Sequence, residues 1–332
     1  MGFFYSQLFK TMPPPTGNYS GKTIIITGSN VGLGKEAARH FARLSAKRII
    51  LAVRSMDKGE AAKQDILNSL PPPQTVDIQV WQLDMASYAN VQKFAARVNS
   101  ELDRLDMFLA NAGIASGEYR VIEDNESMIT VNVVSTFLLA ALVLPKLKES
   151  AARFGIRPAL TITSSDVHGH APGFVEHAAA SAAANQSVFA LANDKAVAEK
   201  NWDEQYPISK LLEVLAVRAI AEQSPADKFP VTINTVNPGL CHSELSRESP
   251  GWGFWLMRQI IARSAEAGSR NLVHAASKGA ESHGQYVTDC EVSEPAALAT
   301  GEKGKIVQDK MWKELVKKLE TIKPGISLQF SS

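Results

Sequence analysis

The stretch that decides the fold is Lys22-Thr23-Ile24-Ile25-Ile26-Thr27-Gly28-Ser29-Asn30-Val31-Gly32-Leu33-Gly34. Its first half is a continuous apolar run, which is typical of a strand buried on both faces. A glycine-rich turn follows at once, and a helical pattern then runs from Gly34 to Leu44. A strand, a glycine-rich turn and a helix in this order predict the first βα unit of a nucleotide-binding α/β sheet.

The chemistry expected of this turn is backbone chemistry. Glycines allow a tight turn and a close approach of the chain to a pyrophosphate, which then lies against the positive end of the following helix. The alternative is a plain glycine-rich turn without a ligand. The residues predicted to contact the cofactor here are Gly28, Ser29, Asn30, Gly32, Leu33 and Gly34.

The rest of the chain alternates short β-branched runs with longer amphipathic segments, which is typical of βαβ units. Further strands are predicted at Arg48 to Val53, Val76 to Leu83, Met107 to Ala110, Ala159 to Ser164, Val231 to Val236 and near Gln285 to Val287. Helices are predicted at Asp57 to Leu70, Ser87 to Leu102, Asn125 to Glu149 and Lys310 to Ile322. The expected fold class is α/β, a single-domain Rossmann-type doubly wound parallel sheet.

Three segments depart from this regular pattern. Residues 1–20 form an N-terminal arm that ends after a proline run, and residues 21–332 make one domain. Residues 170–203 are an insertion before Tyr206, interpreted either as a lid with short helices or as a surface excursion without a substrate role. Residues 240–268 are aromatic-rich, and the alternatives for them are a substrate lid or a core or oligomer contact.

Composition excludes several classes of function. The 332 residues carry 35 Lys and Arg against 34 Asp and Glu, a net charge of +1, so nucleic acid is not an expected partner. Two cysteines, Cys241 and Cys290, show no metal-ligand spacing, so no metal is expected and a reducing, cytoplasmic setting fits best. The apolar start of the arm is too short to span a bilayer, so no transmembrane segment is predicted.

The end of the second strand indicates which nicotinamide cofactor is used. An acidic residue at this position would bind the free 2′-hydroxyl of NAD, but here Val53 is followed by Arg54. A guanidinium suits a 2′-phosphate in charge and geometry. The prediction is therefore NADP(H), and the alternative is an arginine that only caps the strand end.

Tyr206 and Lys210 lie four residues apart at the start of a predicted helix, so their side chains share one face. A tyrosine has an ordinary pKa of about 10, and a neighbouring ammonium favours its ionised form. The pair is therefore a candidate acid or base for proton transfer near neutral pH.

In their order along the chain, these motifs make the sequence resemble the short-chain dehydrogenases/reductases. They are Thr27-Gly28 to Gly34, Leu83-Asp84, Asn111-Ala112-Gly113, Asn132, Ser164-Ser165, Tyr206 with Lys210, and Asn237-Pro238-Gly239. Val53-Arg54-Ser55 with Lys58-Gly59-Glu60 is similar to the retinol-dehydrogenase-like branch. The segments Arg263 to Ala276, Trp312 to Leu315 and Lys323 to Ile326 resemble fungal members, many of which modify secondary metabolites.

The resemblance implies a catalytic set of Asn132, Ser165, Tyr206 and Lys210. Tyr206 would exchange the proton, and Lys210 would bind the nicotinamide ribose and lower the pKa of the tyrosine. Ser165 would hold the substrate oxygen, with Ser164 as the alternative because only one of two adjacent residues faces the site. Asn132 would anchor a water behind Lys210, or it is an amide satisfied within its helix.

The resemblance also implies further cofactor contacts. Asp84 would accept from the adenine amino group, and Asn111, Ala112 and Gly113 would let the backbone pass close to the adenosine. Pro238 and Gly239 would form the turn around the nicotinamide. Ser243 stands where relatives often carry a threonine that binds the carboxamide. The unusually long gap between Ser165 and Tyr206 departs from the family pattern, so substrate shape does not carry over from compact relatives.

The expected function is NADPH-dependent exchange of hydride between the cofactor and a ketone or secondary alcohol on an apolar small molecule. Two alternatives stay open, namely epimerisation or dehydration through transient oxidation, and a non-catalytic NADP-binding regulator. Many relatives dimerise through the helices that contain Asn132 and Tyr206, while others do not, so a homodimer is one of two open states.

Overall fold

The computed structural model describes residues 3–73, 75–242 and 261–331. Its strands are β1 Thr23–Thr27, β2 Arg48–Val53, β3 Asp77–Gln82, β4 Met107–Ala110, β5 Val121–Ile122, β6 Asn125–Glu126, β7 Ala159–Thr163, β8 Thr232–Asn237, β9 Tyr286–Thr288 and β10 Glu291–Ser293. Its α-helices are α1 Phe3–Phe9, α2 Gly32–Arg43, α3 Met56–Asn68, α4 Tyr88–Glu101, α5 Thr136–Phe154, α6 Pro172–Ala183, α7 Val188–Asn193, α8 Lys195–Lys200, α9 Trp202–Gln223, α10 Ala265–Ser277, α11 Ala297–Thr300 and α12 Glu302–Ile322.

Within these described ranges, eight strands form one sheet in the order β10-β9-β8-β7-β4-β1-β2-β3. Neighbouring strands are parallel except at the edge, where β10 runs antiparallel to β9. The strand order reverses at β1, which lies between β2 and β4. The predicted Rossmann-type doubly wound sheet is confirmed, and the reversal places a crevice at the carboxyl ends of β1 and β4.

The strand residues alternate between two hydrophobic cores. Ile25 faces one core together with Phe108 of β4 and residues of α4, α5 and α9. Its neighbours Ile24 and Ile26 face the other core, together with residues of α2, α3 and α10. A strand that buries both faces needs an uninterrupted apolar run, which explains the sequence pattern that identified it.

The helix predicted from Asn125 begins later than expected. Asn125 and Glu126 instead pair with Val121 and Ile122 in a small hairpin. The Glu126 carboxylate then accepts from the backbone N–H groups of Met128 and Ile129, so it caps the helical segment that follows. A π-helical turn, Ile129–Ser135, leads into α5, and the carboxylate cap is the reason for the displaced start.

The continuous helical segment Ile129–Phe154 is long and apolar enough to cross a membrane by composition. Most of it is buried inside the protein, between the sheet and neighbouring helices. It is therefore interpreted as a core helix. The predicted C-terminal helix also starts earlier than expected, at Glu302 rather than Lys310.

The insertion at residues 170–203 is helical and packs against α12. Phe174 and Val188 from its first two helices are buried in the main core. Glu314 of α12 accepts hydrogen bonds from the Ser187 hydroxyl and the Phe189 backbone N–H. This packing argues against a surface excursion. A role for the insertion as a lid stays a prediction.

The N-terminal arm lies against the carboxyl edge of the sheet. Gln7 of α1 is buried and donates from Nε2 to the carbonyls of Leu240 and Ile261, while its Oε1 accepts from the Leu240 N–H. One side chain thus connects the arm to two segments that flank residues 243–260. These two segments are also joined directly, because the backbone N–H of Arg263 donates to Leu240 O.

His283 contributes a pH-dependent part of the stability. Its Nε2 donates to Ser224 O, and its Nδ1 accepts from the Ile233 N–H. Burial is the main cause that lowers its pKa. A histidine with a depressed folded pKa binds its proton more tightly in the unfolded chain, so stability falls as the pH drops below the unfolded pKa of about 6.5.

We expect His283→Gln to weaken this acid sensitivity. Between about pH 7.5 and about pH 5.5, the wild type should lose up to about 1.4 kcal/mol more free energy of unfolding than the variant. Urea unfolding at the two pH values measures the difference. The exposed His170→Gln is the control, and equal losses in wild type and His283→Gln would contradict the assignment.

Candidate active site

Four strand ends build the site. The turn after β1, Asn111 after β4, Ser165 after β7 and Gly239 after β8 all follow the carboxyl ends of neighbouring parallel strands. Such ends meet at one edge of a sheet, so residues far apart in sequence share one crevice.

The glycine turn has the geometry that a pyrophosphate requires. Gly28 and Gly32 have φ angles of +66° and +59°, in the left-handed region that favours glycine. A Cβ atom at Gly28 would lie 2.9 Å from Ala112 Cα, and one at Gly34 would lie 2.7 Å from Asn111 Nδ2. No described side chain caps the start of α2, so its first amide groups can meet an anion. The turn therefore fits the diphosphate of a dinucleotide.

The other predicted residues of this turn have different surroundings. Ser29 is fully buried, and its hydroxyl donates to Ile26 O, so its side chain braces the turn from inside. Asn30 and Leu33 lie partly exposed on the rim. Thr27, which opens the predicted motif but was given no role, accepts at Oγ1 from the N–H groups of Asn111 and Ala112 and so joins β1 to β4.

Arg54 lies exposed directly after β2. It makes no hydrogen bond or ion pair with any residue that the structure describes. Ser55 starts α3 by accepting from the Lys58 N–H, which holds the backbone at this point. The guanidinium is thus unengaged at the position where an adenosine ribose is bound in such folds, and it fits a 2′-phosphate.

Two residues that were predicted to contact the adenosine, Asp84 and Asn111, follow β3 and β4. Asp84 is partly exposed, and its carboxylate accepts from the Ala86 N–H. Asn111 uses its Nδ2 to donate to Thr27 O and more weakly to Gly28 O, so its side chain stabilises the glycine turn. The side chain of Asn111 therefore supports the glycine turn, and the residue lies partly exposed at the edge of the crevice.

Tyr206 and Lys210 lie on α9, as the sequence predicted. The Lys210 Nζ atom is 5.6 Å from the centroid of the Tyr206 ring. Lys210 is almost fully buried, whereas Tyr206 keeps a part of its surface exposed. The lysine ammonium donates to Thr163 O at 2.9 Å and to Glu213 Oε1 at 2.8 Å.

The ionisation of this cluster differs from the expectation. Burial raises the pKa of Tyr206, Lys210 lowers it, and Glu213 raises it, with a net direction upward. The sequence-based expectation was correct for the effect of the lysine but wrong for the balance, because desolvation of the phenolate outweighs one cation. Burial also raises the pKa of Glu213 to about 7, even though Lys210 opposes the shift.

The pKa of Lys210 is itself raised. Burial alone would lower it, but the nearby Glu213 and Tyr206 more than offset that effect. The ammonium therefore stays charged in this structure. Glu213 is a residue that the sequence analysis missed, although a lone charge in the apolar run Leu211 to Val217, one turn after Lys210, was a signal for it.

The two adjacent serines point to different partners. Ser164 is buried, and its hydroxyl donates to Lys210 O at 3.0 Å. Ser165 is partly exposed and starts the short 3-10 helix Asp166–Gly169, where its Oγ accepts from the Val167 N–H. The hydroxyl that remains available to a substrate oxygen is therefore that of Ser165.

Asn132 lies in the π-helical turn and is fully buried. Its side-chain amide exchanges hydrogen bonds with both backbone groups of Ile114 and donates to Ser209 Oγ. Ser209 in turn donates to Tyr206 O. A Cβ at Gly113 would lie 3.1 Å from Asn132 Oδ1, so the segment after β4 passes directly over this amide. The side chain thus positions Gly113 and the start of α9, and a water contact stays a prediction.

The turn after β8 favours glycine because of its backbone conformation. Gly239 has a φ of +80°, and its N–H donates to Asn237 Oδ1. A Cβ there would lie 2.5 Å from Gln7 Oε1 and 2.7 Å from Arg263 Nη1. The arm and Arg263 therefore hold the Pro238-Gly239 turn from behind.

Part of the predicted lid lies beyond what the structure shows. Ser243 and the aromatic run Trp252 to Met257 lie outside the described residues. Cys241 and Arg263 form a parallel bridge where the predicted lid begins and ends. Arg263 also pairs with Asp289, at 3.1 Å, and donates to Ser6 O, so this bridge is tied to the arm and to the β9–β10 hairpin.

His168 has a structural role. Its Nδ1 lies 2.7 Å from Ser165 O, and the Ala296 N–H donates to its Nε2. Burial lowers its pKa, so the ring is neutral with the proton on Nδ1. Over the described ranges, no group of three His, Cys, Asp or Glu side chains could hold a metal ion.

Comparison with known proteins places this geometry in context. Residues 22–201 match the family model described as short chain dehydrogenase. The short chain dehydrogenase/reductase dmxR8 of Cryptosporiopsis sp. is 64% identical over 330 residues, covering 99% of this chain and 100% of that protein. The short-chain dehydrogenase anuD of Penicillium roqueforti is 41% identical over 342 residues, covering 100% of this chain and 86% of that protein.

A solved structure shows the same fold at lower sequence similarity. The 3-ketoacyl-(acyl-carrier-protein) reductase from Brucella melitensis, complexed with NADH, has a TM-score of 0.59 and 18% identity, covering 82% of this chain and 97% of that one. At this identity the likeness concerns the fold alone.

The serine geometry generates a test. Ser165→Ala should lower turnover of a carbonyl substrate by about 10²-fold, because one donor to the reacting oxygen is lost. Ser164→Ala is the matched control, since it should cost about 1 kcal/mol of stability with turnover largely retained. Steady-state kinetics and urea unfolding of both variants measure these effects. The reverse pattern would assign the role to Ser164.

Proposed function

This chain belongs to the short-chain dehydrogenase family, and we propose that it is an NADPH-dependent reductase that interconverts a ketone and a secondary alcohol. The observation that carries the proposal is the convergence of Tyr206, Lys210 and Ser165 beside the glycine turn. A phenol, an ammonium and a hydroxyl at one strand edge are the groups that carbonyl reduction needs.

The protein residues have separate tasks in this reaction. Bound NADPH would supply the hydride to the carbonyl carbon. Ser165 donates to the carbonyl oxygen and polarises it. Tyr206 gives its phenolic proton to the same oxygen, and the Lys210 charge favours the phenolate that remains. In the reverse direction, the Tyr206 phenolate takes the proton from the alcohol.

The choice of NADPH rests on Arg54. Its exposed guanidinium is unengaged within the described residues and stands after β2, where an acidic side chain would otherwise bind the free 2′-hydroxyl. The sequence offers Val53 at this point, which cannot accept that hydrogen bond. A positive charge in this place favours a 2′-phosphate.

We further propose an apolar small molecule of fungal secondary metabolism as the substrate. The two similar proteins named above come from fungi, and the sequence after Gly239 is rich in aromatic residues. Cys241 and Cys290 are buried free thiols, which supports a reducing cytosolic setting.

Tyr206→Phe tests the mechanism. Without the phenolic proton, carbonyl-dependent oxidation of NADPH should fall by about 10²–10⁴-fold, while the dissociation constant for NADPH should stay unchanged. Absorbance of NADPH measures turnover, and quenching of protein fluorescence measures binding. Tyr19→Phe, in a buried phenol that contacts Ser277 away from the site, is the control.

Normal turnover by Tyr206→Phe would refute the mechanism. A wild-type enzyme that retains its cofactor tightly and converts substrate without net NADPH consumption would favour epimerisation or dehydration instead.

Arg54→Ala tests the cofactor preference. Loss of charge-assisted hydrogen bonds to a phosphate costs about 1.5–3 kcal/mol, so the KM for NADPH should rise by about 10- to 100-fold. The KM for NADH should change little. Lys47→Ala, an exposed cation at the opposite end of β2, is the matched control. A wild type that binds NADH as tightly as NADPH would overturn the preference.

A further inference from the structure

Glu213 is a buried carboxylate one helical turn after Lys210. Both residues lie on α9, and their side chains expose only 2% and 5% of their surface. Further along this helix face lie the apolar residues Ala216 and Val217, three and four positions after Glu213, which belong to the main core. A charge in such surroundings is costly unless a partner neutralises it.

Lys210 is that partner, and the contact takes up part of its capacity. An ammonium has three N–H donors. One donates to Thr163 O and one to Glu213 Oε1, and the third has no partner among the described residues, so it is available to a ligand in the crevice. The carboxylate therefore determines the direction in which the third donor points.

The second carboxylate oxygen of Glu213 is not satisfied. Its Oε2 is buried and has no hydrogen-bond partner among the described residues. Ser164 lies near enough to lower the pKa of Glu213, but its single proton goes to Lys210 O at 3.0 Å. A buried acceptor without a partner costs about 1–3 kcal/mol, so its retention calls for an explanation.

The charges that face Glu213 are few. On α9 itself they are Lys210 and Tyr206. Strands β7 and β8 and the π-helical turn, which pack against this part of α9, carry no titratable side chain. The nearby 3-10 helix carries Asp166, whose charge acts on His168 and on Tyr286, and the neutral His168. On α12, Lys305 pairs with Glu222 at the surface.

We propose that Glu213 is a positioning residue for the reaction, which holds the Lys210 ammonium and sets the ionisation of Tyr206 through its negative charge. The inference rests on the proposed function. Above about pH 7, where Glu213 is ionised, its negative charge raises the pKa of neighbouring acids, so it keeps both the Tyr206 phenol and the Lys210 ammonium protonated. This state suits carbonyl reduction, in which Tyr206 must donate a proton.

Glu213→Gln keeps the shape and removes the charge. The pKa values of Tyr206 and Lys210 should both fall, so the pH profile of kcat should move to lower pH by about one unit. In alcohol oxidation, the rising limb, which reports the Tyr206 phenolate, should shift in the same direction. Profiles that coincide with the wild type would overturn the proposal.

Glu222→Gln is the matched control. It lies on the same helix and is likewise paired with a lysine, Lys305, at 2.8 Å, but on the surface. Its pH profile should coincide with that of the wild type. An equal shift in both variants would assign the effect to general electrostatics of α9 and would also overturn the proposal.

A second variant protects the test against a folding defect. Glu213→Asp keeps the charge but withdraws it by one methylene, so the shift should have the same direction and a smaller size. If Glu213→Gln does not fold, the Glu213→Asp profile is decisive, and an unshifted profile rejects the proposal.

A readout without turnover separates this inference from the proposed function. The ultraviolet absorbance of tyrosinate is measured against pH for four proteins, namely the wild type, Tyr206→Phe, Glu213→Gln and the double variant. Subtracting the curve of each protein that carries Tyr206→Phe from that of its parent isolates the titration of Tyr206. A lower Tyr206 pKa in Glu213→Gln supports the inference even if no carbonyl substrate is turned over. An unchanged pKa refutes it even if the reductase activity is confirmed.

Discussion

The buried ammonium of Lys210 is the interaction on which the site depends. A charge so far from water must be neutralised and hydrogen-bonded, and here Thr163 O and Glu213 do this. Because Thr163 ends β7, the contact fixes α9 against the strand that leads into Ser165. The Ser164 hydroxyl adds a bond to Lys210 O. Together these contacts set the position of Tyr206 relative to Ser165, although the insertion separates the two residues in sequence.

Much of this arrangement follows from sequence because it repeats simple rules. Apolar runs such as Thr23–Thr27 identify strands buried on both faces, and alternation with helical segments predicts a parallel sheet. Since parallel strands place their carboxyl ends at one edge, residues that follow separate strands are expected to meet there. The glycine turn is predictable for the same local reason, because positive φ angles and close packing admit no side chain.

Features that depend on tertiary packing were not accessible in this way. A glutamate on a helix ordinarily faces solvent, and although the lone charge in the apolar run Leu211 to Val217 was a signal, the packed structure is needed to place the Glu213 carboxylate on the Lys210 ammonium. The direction of the Tyr206 pKa shift needs the balance between burial and charge, which residue spacing does not contain. The late start of the helix at Ile129 depends on the Glu126 side chain turning back onto the backbone. Gln7 meets Leu240 across more than two hundred residues, a contact that no local pattern predicts.

The contact of Gln7 also shows how parts outside the βαβ core reach the chemistry. Gly239 has a positive φ that favours glycine, and the ends of the Gln7 and Arg263 side chains lie where a Cβ would stand, so a larger residue there would displace both. Arg263 is in turn held by Asp289 and by the carbonyl of Ser6. The arm, the β9–β10 hairpin and the bridge at Cys241 therefore act on the site through the backbone of one turn. The strand ends and the glycine turn form one side of the crevice, whereas these peripheral contacts hold its wall after β8.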